Sequence, residues 1–134
     1  MTTSITYDGQ LRCVATHNQS GTEMQTDAPT DNRGRGESFS PTDVVCTALG
    51  TCIITTMAIK AMDKGIELKG TSIDVQKYMS SDPPRRIVKI DVTVNAPQLN
   101  LDEKDRQLLE NIGNNCPVAK SLHPDVAQLI TYNW

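Results

Sequence analysis

The chain has 134 residues and a mass of 14.7 kDa, a length that predicts one domain spanning residues 1–134. Apolar residues make up 37% of the chain and charged residues 22%, values that exclude a disordered, collagenous or coiled-coil protein. One Trp, three Tyr, one Phe and a net charge of −3 offer little to stack on bases or attract phosphate, which argues against nucleic-acid binding.

The start of the chain predicts a cytoplasmic location, because no basic segment followed by an apolar stretch resembles a secretory signal. The longest uncharged run covers residues 44–59, which is shorter than the roughly 20 residues that span a bilayer, so we expect a core segment. In a reducing compartment the four cysteines are not expected to form a disulfide framework, which leaves metal binding, redox chemistry or simple burial.

The first thirty residues alternate short β-prone stretches with turn residues, as in an antiparallel meander. Strands are predicted at residues 4–7 and 12–17, with a third near residues 22–26. Residues 28–40 then form a long polar loop, and loops of that length in compact domains are usually functional or disordered. This loop carries Arg33 and Arg35.

A long central helix is predicted next. Ser40 fits its N-cap, Pro41 its first turn and Asp43 a capping box, and Lys64-Gly65 marks its end. Apolar residues between these signals occupy most of the helix circumference, which is typical of a helix buried on several sides.

Beyond Gly70 the apolar period changes to two, which predicts half-buried strands around residues 73–75 and 88–94, joined as a hairpin by the turn at residues 80–84. Residues 100–103 read as a second capping box, opening a helix that Gly113 ends. A short helical stretch and a final strand at residues 128–134 complete the prediction.

The cysteines differ in what their neighbours indicate. Cys52 lies along the apolar stripe of the central helix, where burial alone would explain it. Cys116 precedes Pro117 at a predicted helix start, where amide groups lower a thiol pKa and favour reactivity. Cys13 and Cys46 are interpreted as packing residues.

Two other chemistries find little support. The thiols and the two histidines lack the short paired spacings of a zinc site, so no metal is expected. His123 follows Cys116 by seven residues but precedes Pro124 in a pattern typical of a turn, so we interpret it as a loop residue rather than the base of a Cys-His hydrolase. Arg85 and Arg86 are interpreted as solvated turn residues.

Three segments resemble the OsmC/Ohr family. Residues 40–52 (SPTDVVCTALGTC) are similar to its central helix with a reactive cysteine, and residues 115–122 (NCPVAKSL) to the segment with the second cysteine. Residues 82–90 (DPPRRIVKI) resemble the hairpin of its YhfA-like branch. The order and spacing hold over nearly the whole chain.

The resemblance implies an α+β fold in which antiparallel sheets wrap long central helices in an intertwined homodimer. It also implies a thiol peroxidase of the oxidative stress defence, in which Cys52 attacks an organic hydroperoxide and Cys116 resolves the sulfenic acid into a disulfide. No bound cofactor is expected, because an external dithiol would reduce that disulfide. Arg33 and Arg35 are the candidates for lowering the pKa of Cys52.

One departure keeps a second function open. Ten residues before Cys52, where the family's peroxidases have a glutamate that holds the arginine, this chain has Thr42. The alternative is a carrier of small apolar ligands, or a redox sensor, with weak or no peroxidase activity.

Overall fold

A computed structural model describes residues 1–134, which form six strands, one 3-10 turn and three α-helices. In chain order the elements are β1 (Thr3–Gly9), β2 (Arg12–His17), β3 (Glu23–Asp27), the 3-10 turn (Thr30–Asn32), α1 (Pro41–Met62), β4 (Ser72–Met79), β5 (Ile87–Asn95), α2 (Glu103–Asn114), α3 (Pro117–Ser121) and β6 (Ala127–Asn133). The predicted α+β class is confirmed. The chain divides into two compact units, residues 1–45 and residues 46–134.

The first unit contains the predicted meander. Strands β1, β2 and β3 pair antiparallel in that order. The predicted bounds of β2 are those observed, and the third strand lies one residue later than expected.

A cluster of charges ties the loop after β3 back to the sheet. The buried Asp27 carboxylate accepts the Glu37 amide N–H at 3.0 Å and the Arg12 guanidinium at 3.4 Å. The Glu37 carboxylate also pairs with Arg12. The second half of the loop is therefore held against the strands. In the first half, Thr30–Asn32 form the 3-10 turn.

Helix α1 begins and ends as the sequence predicts. The Asp43 carboxylate accepts the Ser40 amide at 2.8 Å, and the Asp43 amide donates to Ser40 Oγ at 3.1 Å, which is a reciprocal capping box. At the other end Gly65 has a φ of 67°, and the Ile66 amide donates back to the Ala61 carbonyl at 2.9 Å. This is the left-handed stop that favours glycine.

The second unit holds the main core. Its sheet has the order β4-β5-β6, and the buried residues of β5 alternate with more exposed ones, as the period of two predicts. Fully buried side chains from α1, β5 and α2 meet in this core: Leu49, Ile53, Met57, Ile90, Val92, Val94 and Leu109.

The sheet of the second unit is mixed rather than wholly antiparallel. Strands β4 and β5 form the predicted hairpin, but β6 pairs with β5 in parallel, from Lys89 beside Ala127 to Asn95 beside Asn133. The physical reason is the connection, because α2 and α3 intervene between β5 and β6 and return the chain to the same end of the sheet.

Two predictions about α2 were wrong in detail. Its N-cap is Asp102, whose carboxylate accepts the Asp105 amide at 2.8 Å, and not Asn100. Gly113 does not end the helix; it is a buried residue of the last turn. A Cβ there would lie 2.5 Å from the Tyr132 hydroxyl and 3.0 Å from Met57 Sδ, so close packing explains this glycine.

Helix α1 is long and apolar enough to cross a membrane by length and composition. A core helix passes the same test, and α1 buries Leu49, Ile53 and Met57 completely. This burial supports its interpretation as a core element.

Candidate active site

Cys52 lies midway along α1 and is partly exposed. Its Sγ lies 3.8 Å from the hydroxyl oxygen of Thr56, one helical turn later. The Thr56 hydroxyl also donates to the Cys52 carbonyl at 2.5 Å. Thr56 was not among the predicted site residues, although its spacing of four residues from Cys52 on a predicted helix was a signal that could have identified it.

Cys116 is fully buried and caps α3. Its Sγ accepts the Ala119 amide N–H at 3.5 Å, and Pro117 occupies the first helical position. The predicted helix start at Cys116 is therefore confirmed.

The fold brings the two thiols within hydrogen-bonding distance of each other. Both are free cysteines, so no disulfide joins them. Burial raises the pKa of Cys52, but hydrogen bonds from the Val118 amide, the Cys116 thiol and the Thr56 hydroxyl outweigh it, so the net direction is downward. The amide of Val118 is a second donor that was not among the predicted site groups. All of these groups belong to the second unit.

The amides at the start of α3 lower the pKa of Cys116, as predicted, but the net direction is upward. Burial raises this pKa, and the neighbouring Cys52 raises it further, while the amides of Ala119 and Val118 offset only part of the effect. The pair consequently holds its proton on the buried sulfur and leaves the more accessible sulfur closer to a thiolate.

Tyr132 of β6 lies near the buried Cys116 thiol, and the C-terminal Trp134 packs on Tyr132. The Tyr132 hydroxyl donates to Asn114 Oδ1 at 3.0 Å, and burial raises its pKa, with smaller contributions from Glu110 and Cys116. Trp134 stacks on Tyr132 with ring centroids 6.1 Å apart and donates from Nε1 to Glu110 at 2.7 Å. The phenol therefore stays protonated at neutral pH.

The remaining candidates lie where packing or solvent explains them. Cys46 is buried in the core of the second unit, and Cys13 belongs to β2. His123 is exposed in a turn beside Asp125. No group of three or more His, Cys, Asp or Glu side chains has an arrangement that could hold a metal ion.

Arg33 and Arg35 are exposed residues of the loop in the first unit, whereas Cys52 and Cys116 belong to the second. Their predicted role in activating Cys52 stays a prediction. The arginine that the loop does engage is Arg12, through Glu37. Thr42 lies at the start of α1, where its hydroxyl is 3.1 Å from that of Ser40.

Comparison with known proteins identifies the class to which this fold and thiol pair belong. The family model described as OsmC-like protein matches residues 34–128. The chain therefore belongs to the OsmC-like family, and its resemblance to the OsmC/Ohr proteins is confirmed. None of the curated proteins matches the chain.

Three solved structures illustrate the relationship. A protein from Psychrobacter arcticus 273-4, described provisionally as an osmotic stress induced and detoxification response protein, is 43% identical with a TM-score of 0.94, over 99% of this chain and 96% of that one. An organic hydroperoxide resistance protein OsmC from Legionella pneumophila is 13% identical with a TM-score of 0.77, over 100% and 98% of the two chains. The organic hydroperoxide resistance protein OhrB of Bacillus subtilis is 19% identical with a TM-score of 0.71, over 99% and 98%. The last two show a shared fold.

Proposed function

We propose that the chain is a thiol-dependent peroxidase that reduces organic hydroperoxides through Cys52 and Cys116. The observation that carries the proposal is the hydrogen-bonded thiol pair, in which the pKa is lowered at the partly exposed Cys52 and raised at the buried Cys116. A thiolate is the nucleophile in such chemistry, so the accessible sulfur is suited to attack and the buried one to resolve.

The proposed cycle has two steps. The Cys52 thiolate attacks one oxygen of the hydroperoxide ROOH, the O–O bond breaks, and the alkoxide leaves as ROH after taking a proton from solvent, so that sulfur is oxidised to a sulfenic acid. The Cys116 thiol then attacks this sulfur, water leaves, and a disulfide forms. An external dithiol returns both cysteines to thiols and is itself oxidised to a disulfide, which fits the cytoplasmic location expected from the sequence.

The surroundings of Cys52 on α1 support an apolar substrate. At about 100° per residue, one side of the helix carries Ala48, Cys52, Thr55, Ile59 and Met62, of which Thr55 alone has a hydroxyl group. Ile59 is 63% exposed and Met62 76% exposed in the single chain. An alkyl or aryl hydroperoxide would bury apolar surface against such a face, whereas hydrogen peroxide would not.

The same exposed face supports a homodimer, the form that the family resemblance implies. Exposed apolar patches on a folded chain mark interaction surfaces, and a second copy that covers part of this helix would also shield the thiol site from water. The dimer is part of the proposal.

A carrier or redox-sensor function is the second candidate. The observation that favours it is that no cation is among the groups that lower the pKa of Cys52. Without a charged partner the thiolate would be less populated at neutral pH, and peroxide reduction would be slow.

The test is steady-state turnover with a dithiol reductant, comparing cumene hydroperoxide with hydrogen peroxide. We expect faster turnover of the organic substrate, loss of turnover in Cys52→Ser, and a sulfenic acid trapped by dimedone in Cys116→Ser. Cys13→Ser is the control and should retain turnover. Full activity in Cys52→Ser would exclude the proposal, and a wild-type chain that binds apolar ligands without turnover would favour the carrier.

A further inference from the structure

The side chain of Thr56 contacts Cys52 at two places, the backbone carbonyl and the sulfur of Cys52. We propose that Thr56 is a positioning residue that holds the Cys52 thiol in place and then donates a hydrogen bond to its thiolate. The inference rests on the proposed function in one respect, that the Cys52 thiol has a reaction to perform. Its basis is geometric, since one hydroxyl oxygen lies 3.8 Å from Cys52 Sγ and 2.5 Å from the Cys52 carbonyl oxygen.

The hydroxyl can serve both protonation states of Cys52, because it has one donor hydrogen and two acceptor lone pairs. In the thiol state, the S–H donates to Thr56 Oγ1 and the Thr56 hydroxyl donates to the carbonyl, which fixes the side-chain rotamer of Cys52. In the thiolate state, the hydroxyl turns and donates to the sulfur. The carbonyl is not left unsatisfied by this rotation, because in an α-helix it accepts the amide N–H of residue 56.

The hydroxyl of Thr56 matters more because the other groups that donate to the Cys52 sulfur are also uncharged. The Val118 amide and the Cys116 thiol also donate to Cys52, and all three donors are uncharged. Cys116, at the N-cap of α3, is the one group among them that itself titrates. With neutral donors alone, each hydrogen bond to the thiolate carries a larger share of its stabilisation.

Bonding to the carbonyl is not by itself evidence for this role, because threonines in helices commonly donate to the carbonyl four residues back. Thr51 does so in the same helix, at 2.8 Å to the Thr47 carbonyl and 3.2 Å to that of Ala48. Thr56 differs because the residue four positions before it carries a sulfur. Thr51 therefore provides a matched control for the effect of a hydroxyl on the helix alone.

The experiment measures the rate of alkylation of Cys52 by iodoacetamide as a function of pH in the full chain, read by mass spectrometry on the peptide containing Cys52. The proteins are wild type, Thr56→Val, Thr56→Ser and Thr51→Val. Valine keeps the shape of threonine and removes the hydroxyl, whereas serine keeps the hydroxyl. If Thr56→Val fails to fold by circular dichroism, Thr56→Ala replaces it.

We expect Thr56→Val to raise the midpoint pH of Cys52 alkylation by about 0.5 to 1 unit, which corresponds to a roughly three- to tenfold lower rate below the midpoint. Thr56→Ser should restore the wild-type midpoint, and Thr51→Val should leave it unchanged. A Thr56→Val midpoint equal to that of wild type, or an equal shift in Thr51→Val, would overturn the proposal.

This readout is separate from the proposed peroxidase activity, because iodoacetamide alkylates any accessible thiolate. A shifted midpoint in a chain that does not reduce peroxides would leave the role of Thr56 standing and remove the proposed function. Peroxidase turnover with an unshifted midpoint would leave the proposed function standing and exclude the role of Thr56.

Discussion

Two cysteines of this chain share one hydrogen-bonded site but differ in solvent access, and the roles proposed for them rest on that difference. Cys52 is partly exposed and Cys116 is fully buried. Burial raises the pKa of both thiols, yet only Cys52 gains enough donors to reverse the effect. At a pH between the two apparent values, the pair carries one proton, on Cys116.

A first prediction concerns the order of labelling. Because the pKa of Cys52 is lowered, its thiolate forms on raising the pH before that of an ordinary cysteine, whereas the raised pKa of Cys116 delays its thiolate. A short iodoacetamide pulse at neutral pH should therefore label Cys52 ahead of Cys116 in the native protein, and mass spectrometry of the digest measures both.

The same pulse in a denaturant is the control, since unfolding removes both the burial and the donors. There the two cysteines should react at similar rates. Faster labelling of Cys116 than of Cys52 in the native chain would contradict the assigned pKa directions.

At the scale of the element, α2 shows why some glycines cannot be understood from sequence alone. A glycine near a helix end reads as a stop signal, and Gly65 is one, with a φ of 67°. Gly113 has the same local pattern, but Tyr132 from β6 and Met57 from α1 leave no room for a side chain. Only the tertiary packing distinguishes the two cases.

A second prediction follows for Gly113→Ala. Alanine favours the helix by about 1 kcal/mol, but its Cβ would force the hydrogen-bonded Tyr132 phenol and Met57 to move, and overpacking costs about 1 to 3 kcal/mol. We expect a net loss in the free energy of unfolding of up to about 2 kcal/mol by urea denaturation.

The exposed Lys104 of the same helix provides the control, because Lys104→Ala should change stability by less than about 0.5 kcal/mol. A Gly113→Ala protein more stable than wild type would show that this packing is looser than the distances indicate.

At the scale of the whole molecule, local signals in the sequence were sufficient for most elements. β-prone residues bounded by turn residues predicted β2, an apolar period of two predicted the hairpin of β4 and β5, and capping residues and Gly65 predicted the two ends of α1. The parallel pairing of β6 was missed, because strand direction depends on the path of the connection and not on the strand's own residues.

The candidate site was predicted in its main residues and not in its electrostatics. The family resemblance pointed to Cys52 and Cys116, which the fold brings together. The direction of the Cys116 pKa could not be predicted, since the competing effect is burial, which only the assembled core reveals. Thr56 could have been predicted from its helical spacing to Cys52. The Val118 amide lies far from Cys52 in sequence, so only the tertiary structure reveals its contact with the sulfur.

A third prediction tests the proposed homodimer. Size-exclusion chromatography with light scattering should give twice the chain mass of 14.7 kDa. Ile59→Glu places a charge on the exposed apolar face of α1, where Ile59 is 63% exposed, and should shift the population towards the monomer because burying that charge is costly.

Lys104→Glu, on the exposed side of α2, is the matched control and should remain dimeric. A wild-type chain that is monomeric at micromolar concentration would exclude the dimer.

The most direct test of the proposed thiol chemistry is peptide mapping of the purified, reduced protein after one equivalent of cumene hydroperoxide, with no reductant present. We expect a disulfide between Cys52 and Cys116, with Cys13 and Cys46 left as thiols. Four unmodified thiols, or a disulfide that excludes Cys52, would contradict it.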